Sequence, residues 1–401
     1  MASVAGPITP VRVEFIPASR SEAVLPPSVD PFRHQSANND HNHHDLHPWG
    51  PDVHIGSAEF DALYAQANNQ YLYHKWYCPE LSPHMATQVI AVEPISNTVL
   101  RIIESVLNDV LTTGIDAALR TQNGKALTDF VQSTFDKAGL EAEDRIFVRL
   151  GATSTKDSFA GSLPTTKPDP LPPNPELIIR RLLTSRRCVG RLLALADQVW
   201  PADPGEALVI QKWAPDVDIR REFRVFCFEG KVTAVSQGLC WVRLGWREED
   251  TAGFAPAITA LWDQVKDHLA FDSCTMDVQM NKDSAAPNGW SVKIIEFNSF
   301  GAHLNTGANL FHWIEDADAL TGRTPGITMR FVDDWEGDRV AGIRDVIALD
   351  RPVDEEPDWL VLEREVRAAY ENRDQPEEKA PIFRHSTRRS DALSFSFSSV
   401  K

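Results

Sequence analysis

One carboxylate, Asp277, is followed nineteen residues later by the triplet Glu296-Phe297-Asn298. Around Asp277 the run Cys274 to Met280 alternates. Met276, Val278 and Met280 fall on one face, and Thr275, Asp277 and Gln279 on the other. The stretch 281–289 is rich in Asn, Asp, Ser, Pro and Gly and reads as a turn. It leads into a second strand, Trp290 to Asn298, where Glu296 and Asn298 sit two apart and point the same way. An antiparallel hairpin brings Asp277 beside them. Three oxygen donors with few positive neighbours suit a hard cation such as Mg2+, which takes one or two carboxylates and completes its shell with water and phosphate oxygens. The same pattern also describes an acidic hairpin with a solvated polar face, and short motifs match by accident.

Phosphates beside such a cation need cationic donors. Arg149 and Lys156 flank a strand and a small-residue turn, Phe147 to Asp157, where backbone N–H groups and an ammonium can approach phosphate oxygens together. The order of a Walker A loop is absent. Val209-Ile210-Gln211-Lys212-Trp213 alternates and ends at Ala214-Pro215. Such a strand end can offer backbone N–H and C=O to an adenine edge while Lys212 reaches a phosphate; Lys212 at a strand edge and Trp213 in the core is the alternative. Glu222 and Arg224 share one strand face, and an ion pair across neighbouring strands accounts for them as well as ligand binding does. Gln237, at the end of a further strand, is expected to face the same cleft. His41, His43, His44 and His47 could grip a transition metal but lie in a low-complexity arm, where solvation is the simpler account.

The elements that must position these residues follow from periodicity. Residues 1–70 mix Pro, Asn, Asp and His and read as an irregular, partly disordered arm. Asn97 to Arg120 repeats Val99, Ile102, Ile103, Val106 and Val110 at helical spacing, with Asn97 as N-cap. A second helix is expected over 126–138, a strand at 146–150, and a loop at 164–175, which holds six prolines. Helix is expected over 177–200, and strands over 208–213, 222–229 and 231–237, the last two forming a hairpin at Glu229-Gly230. An amphipathic helix, 254–270, precedes the acidic hairpin. A short helix at 309–316, a strand at 327–332 and a helix at 359–371 complete the order, with a disordered tail over 372–401.

Composition excludes several classes. The chain has 401 residues, is 42% hydrophobic and carries a net charge of −17. That charge argues against nucleic acid or anionic membrane as a partner. Five scattered cysteines form no CxxC pair, so neither a disulfide framework nor a zinc knuckle is indicated. No run of eighteen apolar residues exists, and a cytoplasmic protein is expected.

Read in order, these segments resemble the cell division cycle protein 123 family, a branch of the ATP-grasp fold. The correspondence begins at Lys75-Trp76-Tyr77-Cys78-Pro79 and continues through 147–157, Lys212-Trp213, Glu222 to Phe226 and Val235-Ser236-Gln237. It ends at Asp277-Val278 and Glu296 to Gly301, so it covers roughly residues 70–350. The resemblance implies an α+β, ATP-grasp fold, with two α+β subdomains whose antiparallel sheets grip a nucleotide. The core is expected at 71–350, divided near 205, followed by a C-terminal helix segment at 351–371. The resemblance also implies that Arg149, Lys156 and Lys212 contact ATP phosphates, that the backbone around Trp213 holds adenine, and that Asp277, Glu296 and Asn298 bind Mg2+.

Two functions follow from that fold. In a carboxylate–amine ligase, a small-molecule carboxylic acid attacks the γ-phosphate and an amine displaces phosphate from the acyl phosphate. Arg224, with its planar fork, is the candidate for holding the acid or acyl phosphate. In an assembly factor, ATP shapes a surface that docks on the gamma subunit of eukaryotic initiation factor 2. Departures from the family pattern favour the ligase. Arg149 stands for Lys, Gly238-Leu239 for Arg-Asp, Glu296 for Asp and Ser299 for Pro. Against it, peptide-forming relatives often carry Arg two residues before the Asp, where this chain has Thr275.

Overall fold

The computed structural model describes residues 10–16, 67–155, 158, 170–196, 205–238, 244–301, 306–313 and 315–332. The expected helix at 351–371, the tail, the His run, Lys156 and Leu239 lie outside them. In chain order the elements are β1 (Val11–Ile16), α1 (Tyr73–Trp76), β2 (Val89–Pro94), α2 (Asn97–Thr113), α3 (Ile115–Arg120), α4 (Gln122–Ala138) and β3 (Ile146–Leu150). Then come α5 (Pro175–Thr184), α6 (Arg186–Ala196), β4 (Ala207–Lys212), β5 (Glu222–Phe228), β6 (Lys231–Gln237), α7 (Glu248–Thr251) and α8 (Phe254–Val265). The hairpin β7 (Cys274–Lys282) and β8 (Trp290–Asn298), α9 (Ala317–Leu320) and β9 (Ile327–Val332) complete the set. The class is α+β with largely antiparallel sheets.

The smaller sheet has three antiparallel strands in the order β2-β4-β3. Its apolar face is set by alternation. Ile146, Val148 and Leu150 on β3 and Leu208 and Ile210 on β4 share one core with Ile103, Val106, Leu127, Val131, Phe135 and Ile178 of the helices. Those helices start on side-chain caps. Ser96 accepts from the Val99 amide, Thr121 from Gly124, and Asn174, followed by Pro175, from Leu177. The cap of α2 is therefore Ser96 and not Asn97. The single helix expected over 97–120 breaks at Gly114, whose φ of +82° no residue with a Cβ adopts easily. The helix expected over 177–200 divides at Ser185. Strand β4, beyond the expected division near 205, is the middle strand of this sheet.

The larger sheet runs β1-β9-β6-β5-β7-β8. It is parallel where β9 meets β1 and β6, and antiparallel elsewhere. Its first face packs on α8. Phe223, Val225, Cys227, Val235, Met276, Val278, Met280 and Ile294 meet Phe254, Ile258, Trp262 and Val265 in the largest core. Its other face carries Arg224, Asp277 and Glu296 at one end and a smaller apolar cluster, Phe226, Ala234, Phe311 and Trp313, at the other. Strand β1 comes from the segment read as an irregular arm. Its Glu14 pairs with Arg330 of β9 at 2.8 Å, and Arg330 also bonds Asp316 at 2.6 Å and lies 4.3 Å from the Phe311 ring. The helix expected over 309–316 is instead a turn leading into α9. A segment over residues 71–88 bonds both sheets. The Tyr73 amide donates to Gly151 at 2.8 Å, the Lys212 amide to Gln88 at 2.8 Å, and the Ala86 amide to Ile294 at 2.7 Å.

Candidate functional site

The acidic hairpin forms with Asp277 opposite Glu296 and Thr275 opposite Asn298. A bulge makes this possible. Val278 pairs with Ile294, so Ile295 is an extra residue on β8. Without it Ile294 and Glu296, two apart, would share a face. With it Ile294 enters the core under α8 while Glu296 stays on the face with Asp277, a common way for a strand to re-aim one side chain. The Nδ2 of Asn298 donates to Asp277 Oδ2 at 3.3 Å.

Two arginines meet these carboxylates. Arg224 lies opposite Asp277 on the neighbouring strand β5. Its Nε and Nη2 donate to the two oxygens of Asp277, each at 2.8 Å, and its Nη1 donates to the Gly307 carbonyl at 2.7 Å. This is the bidentate geometry that makes Arg–carboxylate pairs strong. It is also an ion pair across neighbouring strands, from β5 to β7. Arg149 comes from β3 of the smaller sheet, and its Nη1 donates to Glu296 Oε2 at 2.6 Å. The site therefore lies where the two sheets meet.

Burial holds this arrangement. Arg149 and Arg224 are 7% and 8% exposed. The Arg149 guanidinium lies 4.8 Å from the centre of the Tyr73 ring. The Tyr73 hydroxyl accepts from Gln211 Nε2 at 2.8 Å, and the same nitrogen reaches Thr87 Oγ1 at 2.6 Å. Burial drives the Tyr73 phenol well above its ordinary pKa, so it stays neutral beside the guanidinium. Trp76, one helical turn on, packs edge-on against Phe297, the neighbour of Glu296, at 4.9 Å.

Five of the residues singled out in the sequence are thus brought together: Arg149, Arg224, Asp277, Glu296 and Asn298. Lys212 is not placed with them. It is exposed at the end of β4 and, by alternation, belongs to the face of Leu208 and Ile210, which pack on the helices, while Val209 and Gln211 face the Tyr73 side. The N–H groups of Lys212 and Trp213 are already donated, to Gln88 and Arg145, both at 2.8 Å, so this strand end does not offer those two donors to a ligand. Gln237 pairs with Phe223 and lies on the α8 face; Ser236, opposite Arg224, takes the cleft face. A Cβ on Gly238 would come within 2.7 Å of the Glu222 carbonyl oxygen, so any larger residue there would need a backbone shift.

Tyr73, Gln211 and the Gly307 carbonyl were not found from the sequence. Gln211 carried a usable signal, a polar residue on the inward phase of an otherwise apolar strand. Tyr73 and Gly307 carried none, because each reaches the site through contacts far away in sequence.

The donor set bears on what the site could hold. Two carboxylates against two guanidiniums make the cluster formally neutral. A divalent cation with a polyphosphate would let the Arg149–Glu296 pair exchange partners without stranding a charge, the cation for the carboxylate and the phosphates for the guanidinium, while Arg224 stays on Asp277. Among the described residues no group of three His, Cys, Asp or Glu gathers as a metal cage. Two carboxylates and an amide fit a cation that keeps water and phosphate ligands.

Comparison with known proteins adds the following. The family model of D123 matches residues 192–354. A CDC123-like protein, L884, of Acanthamoeba polyphaga mimivirus is 28% identical over 191 residues, 46% of this chain. The matched part spans 55% of that protein's length. Two structures of Cdc123 from Schizosaccharomyces pombe are similar at 17% identity and a TM-score of 0.48. The C-terminally truncated form covers 66% of this chain and 96% of its own, and the other covers 70% and 100%. Among the described residues no helix is long and apolar enough to cross a membrane.

Proposed function

We propose that this chain, as a divergent member of the D123 family, binds Mg-ATP in an ATP-grasp cleft and serves as a cytoplasmic assembly factor for eukaryotic initiation factor 2, docking on the gamma subunit. The observation that carries the nucleotide reading is the pair of buried Arg–carboxylate contacts at the junction of two sheets, Arg149–Glu296 and Arg224–Asp277.

In this reading Asp277, Glu296 and Asn298 hold Mg2+, and Arg149 takes phosphate oxygens with Lys156. Bound Mg2+ would supply positive charge against the phosphates. Tyr73 and Gln211 fix the height and tilt of the Arg149 guanidinium. Arg224 holds Asp277 in place and ties β5 and β7 to the loop at Gly307. The nucleotide-binding core would be the described part of the expected 71–350 unit, to which β1 adds an edge strand.

The same geometry supports an assembly factor over a small-molecule ligase. Arg224 was the residue expected to grip a substrate acid, and its guanidinium already makes three bonds inside the protein. Thr275 takes the place where peptide-forming relatives carry an Arg. Neither position offers a cation to a carboxylate substrate.

The test uses the purified full chain. Titration calorimetry should show ATP binding that strengthens with Mg2+, and a pull-down should retain the gamma subunit in an ATP-dependent way. ATP turnover stimulated by a candidate acid and amine, with no gamma-subunit binding, would overturn the assembly reading. No ATP binding with or without Mg2+ would overturn the nucleotide reading.

A further inference from the structure

Thr275 is fully buried, and among the described residues its hydroxyl has no hydrogen-bond partner. Buried hydroxyls are rarely left so, and one that is calls for an explanation. Its position supplies one. Thr275 lies directly opposite Asn298 in the β7–β8 register, within the separation at which cross-strand side chains touch.

Asn298 as it stands is turned away from metal binding. Its Nδ2 donates to Asp277 Oδ2 at 3.3 Å. An ionised carboxylate only accepts, so the amide nitrogen must be the atom facing it. A hard cation takes only the Oδ1 of an asparagine. For Asn298 and Asp277 to share one cation, Oδ1 must turn toward Asp277, and Nδ2 must leave it and find another acceptor. The buried Oγ1 of Thr275, two residues from Asp277 on the same face of β7, can accept it.

We propose that Thr275 is a positioning residue for the cation site, accepting the Asn298 amide N–H when Asn298 presents Oδ1 to the metal. This rests on the reading of Asp277, Glu296 and Asn298 as metal ligands. It makes Thr275 a two-state element, without a partner when the site is empty and satisfied when it is filled. Partners of metal ligands typically change metal affinity by about 10–100-fold when removed.

The experiment compares Thr275→Val and Thr275→Ser with wild type. Valine keeps the shape and removes the hydroxyl; serine keeps the hydroxyl. Mn2+ is the probe, with ATP affinity measured by calorimetry in Mn2+ and again in chelator. Thermal midpoints are taken on the ligand-free chain. Thr275→Val should weaken ATP binding in Mn2+ by about tenfold, leave binding in chelator within about twofold, and leave the ligand-free midpoint unchanged or raised, since it deletes an unsatisfied buried group. Thr275→Ser should restore wild-type affinity. A valine variant with wild-type affinity in Mn2+ overturns the proposal. So does one that loses affinity equally with and without the metal, or whose ligand-free midpoint falls, because the residue is then structural. If the wild type shows no Mn2+-dependent binding, the metal reading fails and this inference with it, a result distinct from failure of the valine variant alone.

Discussion

Replacing Glu296 by Gln separates two roles of one carboxylate. Glutamine keeps the shape and an oxygen for the Arg149 Nη1 donor, now 2.6 Å from Oε2, but removes the charge. Without a cation, the wild-type carboxylate repels incoming phosphates and competes with them for Arg149. Two unit charges about 5 Å apart interact by about 1–3 kcal/mol between water and a surface-like dielectric. The Glu296 side chain is 19% exposed, so solvent screening keeps the figure toward the lower end, about 1–2 kcal/mol. ATP binding in chelator should therefore tighten by about 5–30-fold in Glu296→Gln. With Mg2+ the sign reverses. The attraction lost between carboxylate and cation is of about the same size or larger, so the Mg2+ enhancement of ATP affinity should fall by about tenfold or more. Calorimetric titrations of wild type and variant, each in Mg2+ and in chelator, give all four affinities. Weaker binding in chelator would refute the reasoning, since Glu296 would then serve the nucleotide by holding Arg149. An unchanged Mg2+ enhancement would place the cation elsewhere.

Arg224→Lys keeps the charge but loses the fork on Asp277 and the Gly307 bond, and should lower unfolding stability by about 1–3 kcal/mol in urea; an unmoved midpoint would mean the fork is not held in solution. Gly238→Ala places a Cβ 2.7 Å from the Glu222 carbonyl oxygen, and overpacking of that kind costs about 1–3 kcal/mol, so its urea midpoint should fall, and a wild-type midpoint would show that the backbone yields. Burial raises the Cys274 thiol pKa well above its ordinary value, keeping it a poor nucleophile at pH 8. Alkylation of the native protein, read by mass spectrometry, should spare Cys188, Cys227 and Cys274 while Cys78 reacts, and early labelling of Cys274 would contradict the packing of β5 on β7.

The hairpin of β7 and β8 was legible because its information is local. Alternation over Cys274 to Met280, a turn-rich loop and a second alternating run give β7 and β8 almost to the residue. The strands Ile146–Leu150, Lys231–Gln237 and Ile327–Val332 were legible for the same reason. What failed was non-local or turned on one backbone angle. Val11–Ile16 looks like part of a Pro- and Asn-rich arm because the strand that makes it a strand lies more than three hundred residues away. Gly114 could have been read as a break in the helix over 97–120, but helical periodicity resumes at Ile115 and hides it. The β8 bulge was not legible, because two adjacent isoleucines, Ile294 and Ile295, do not say which one faces the core, and only Ile294 is buried. Within the site, residue types indicated cation chemistry for Asp277, Glu296 and Asn298. That Arg224 and Arg149 would be the partners of those carboxylates required knowing which strands are neighbours. The position of Lys212 turns on parity, because its face follows from Leu208 and Ile210, both of which belong with the helices.

The parallel pairing of β1 with β9 has a consequence for synthesis. Val11 meets Ile327 and Ile16 meets Val332, a loop closure that brings little local reward before it is complete. On the ribosome the first strand emerges long before its partner, and the edge of the larger sheet cannot close until nearly all of the described core has been translated. The nascent chain therefore holds Val11 to Ile16 as an unpaired strand with Val11, Val13 and Phe15 on one face, and β9 joins an edge that is open until β1 returns. Both are exposures of the kind that favour edge-to-edge association. Slower elongation anywhere between the two strands lengthens the first exposure, and slower elongation after β6 lengthens both, so the yield of folded protein should depend on codon choice over residues 238–332 more than on codon choice in the helical layer.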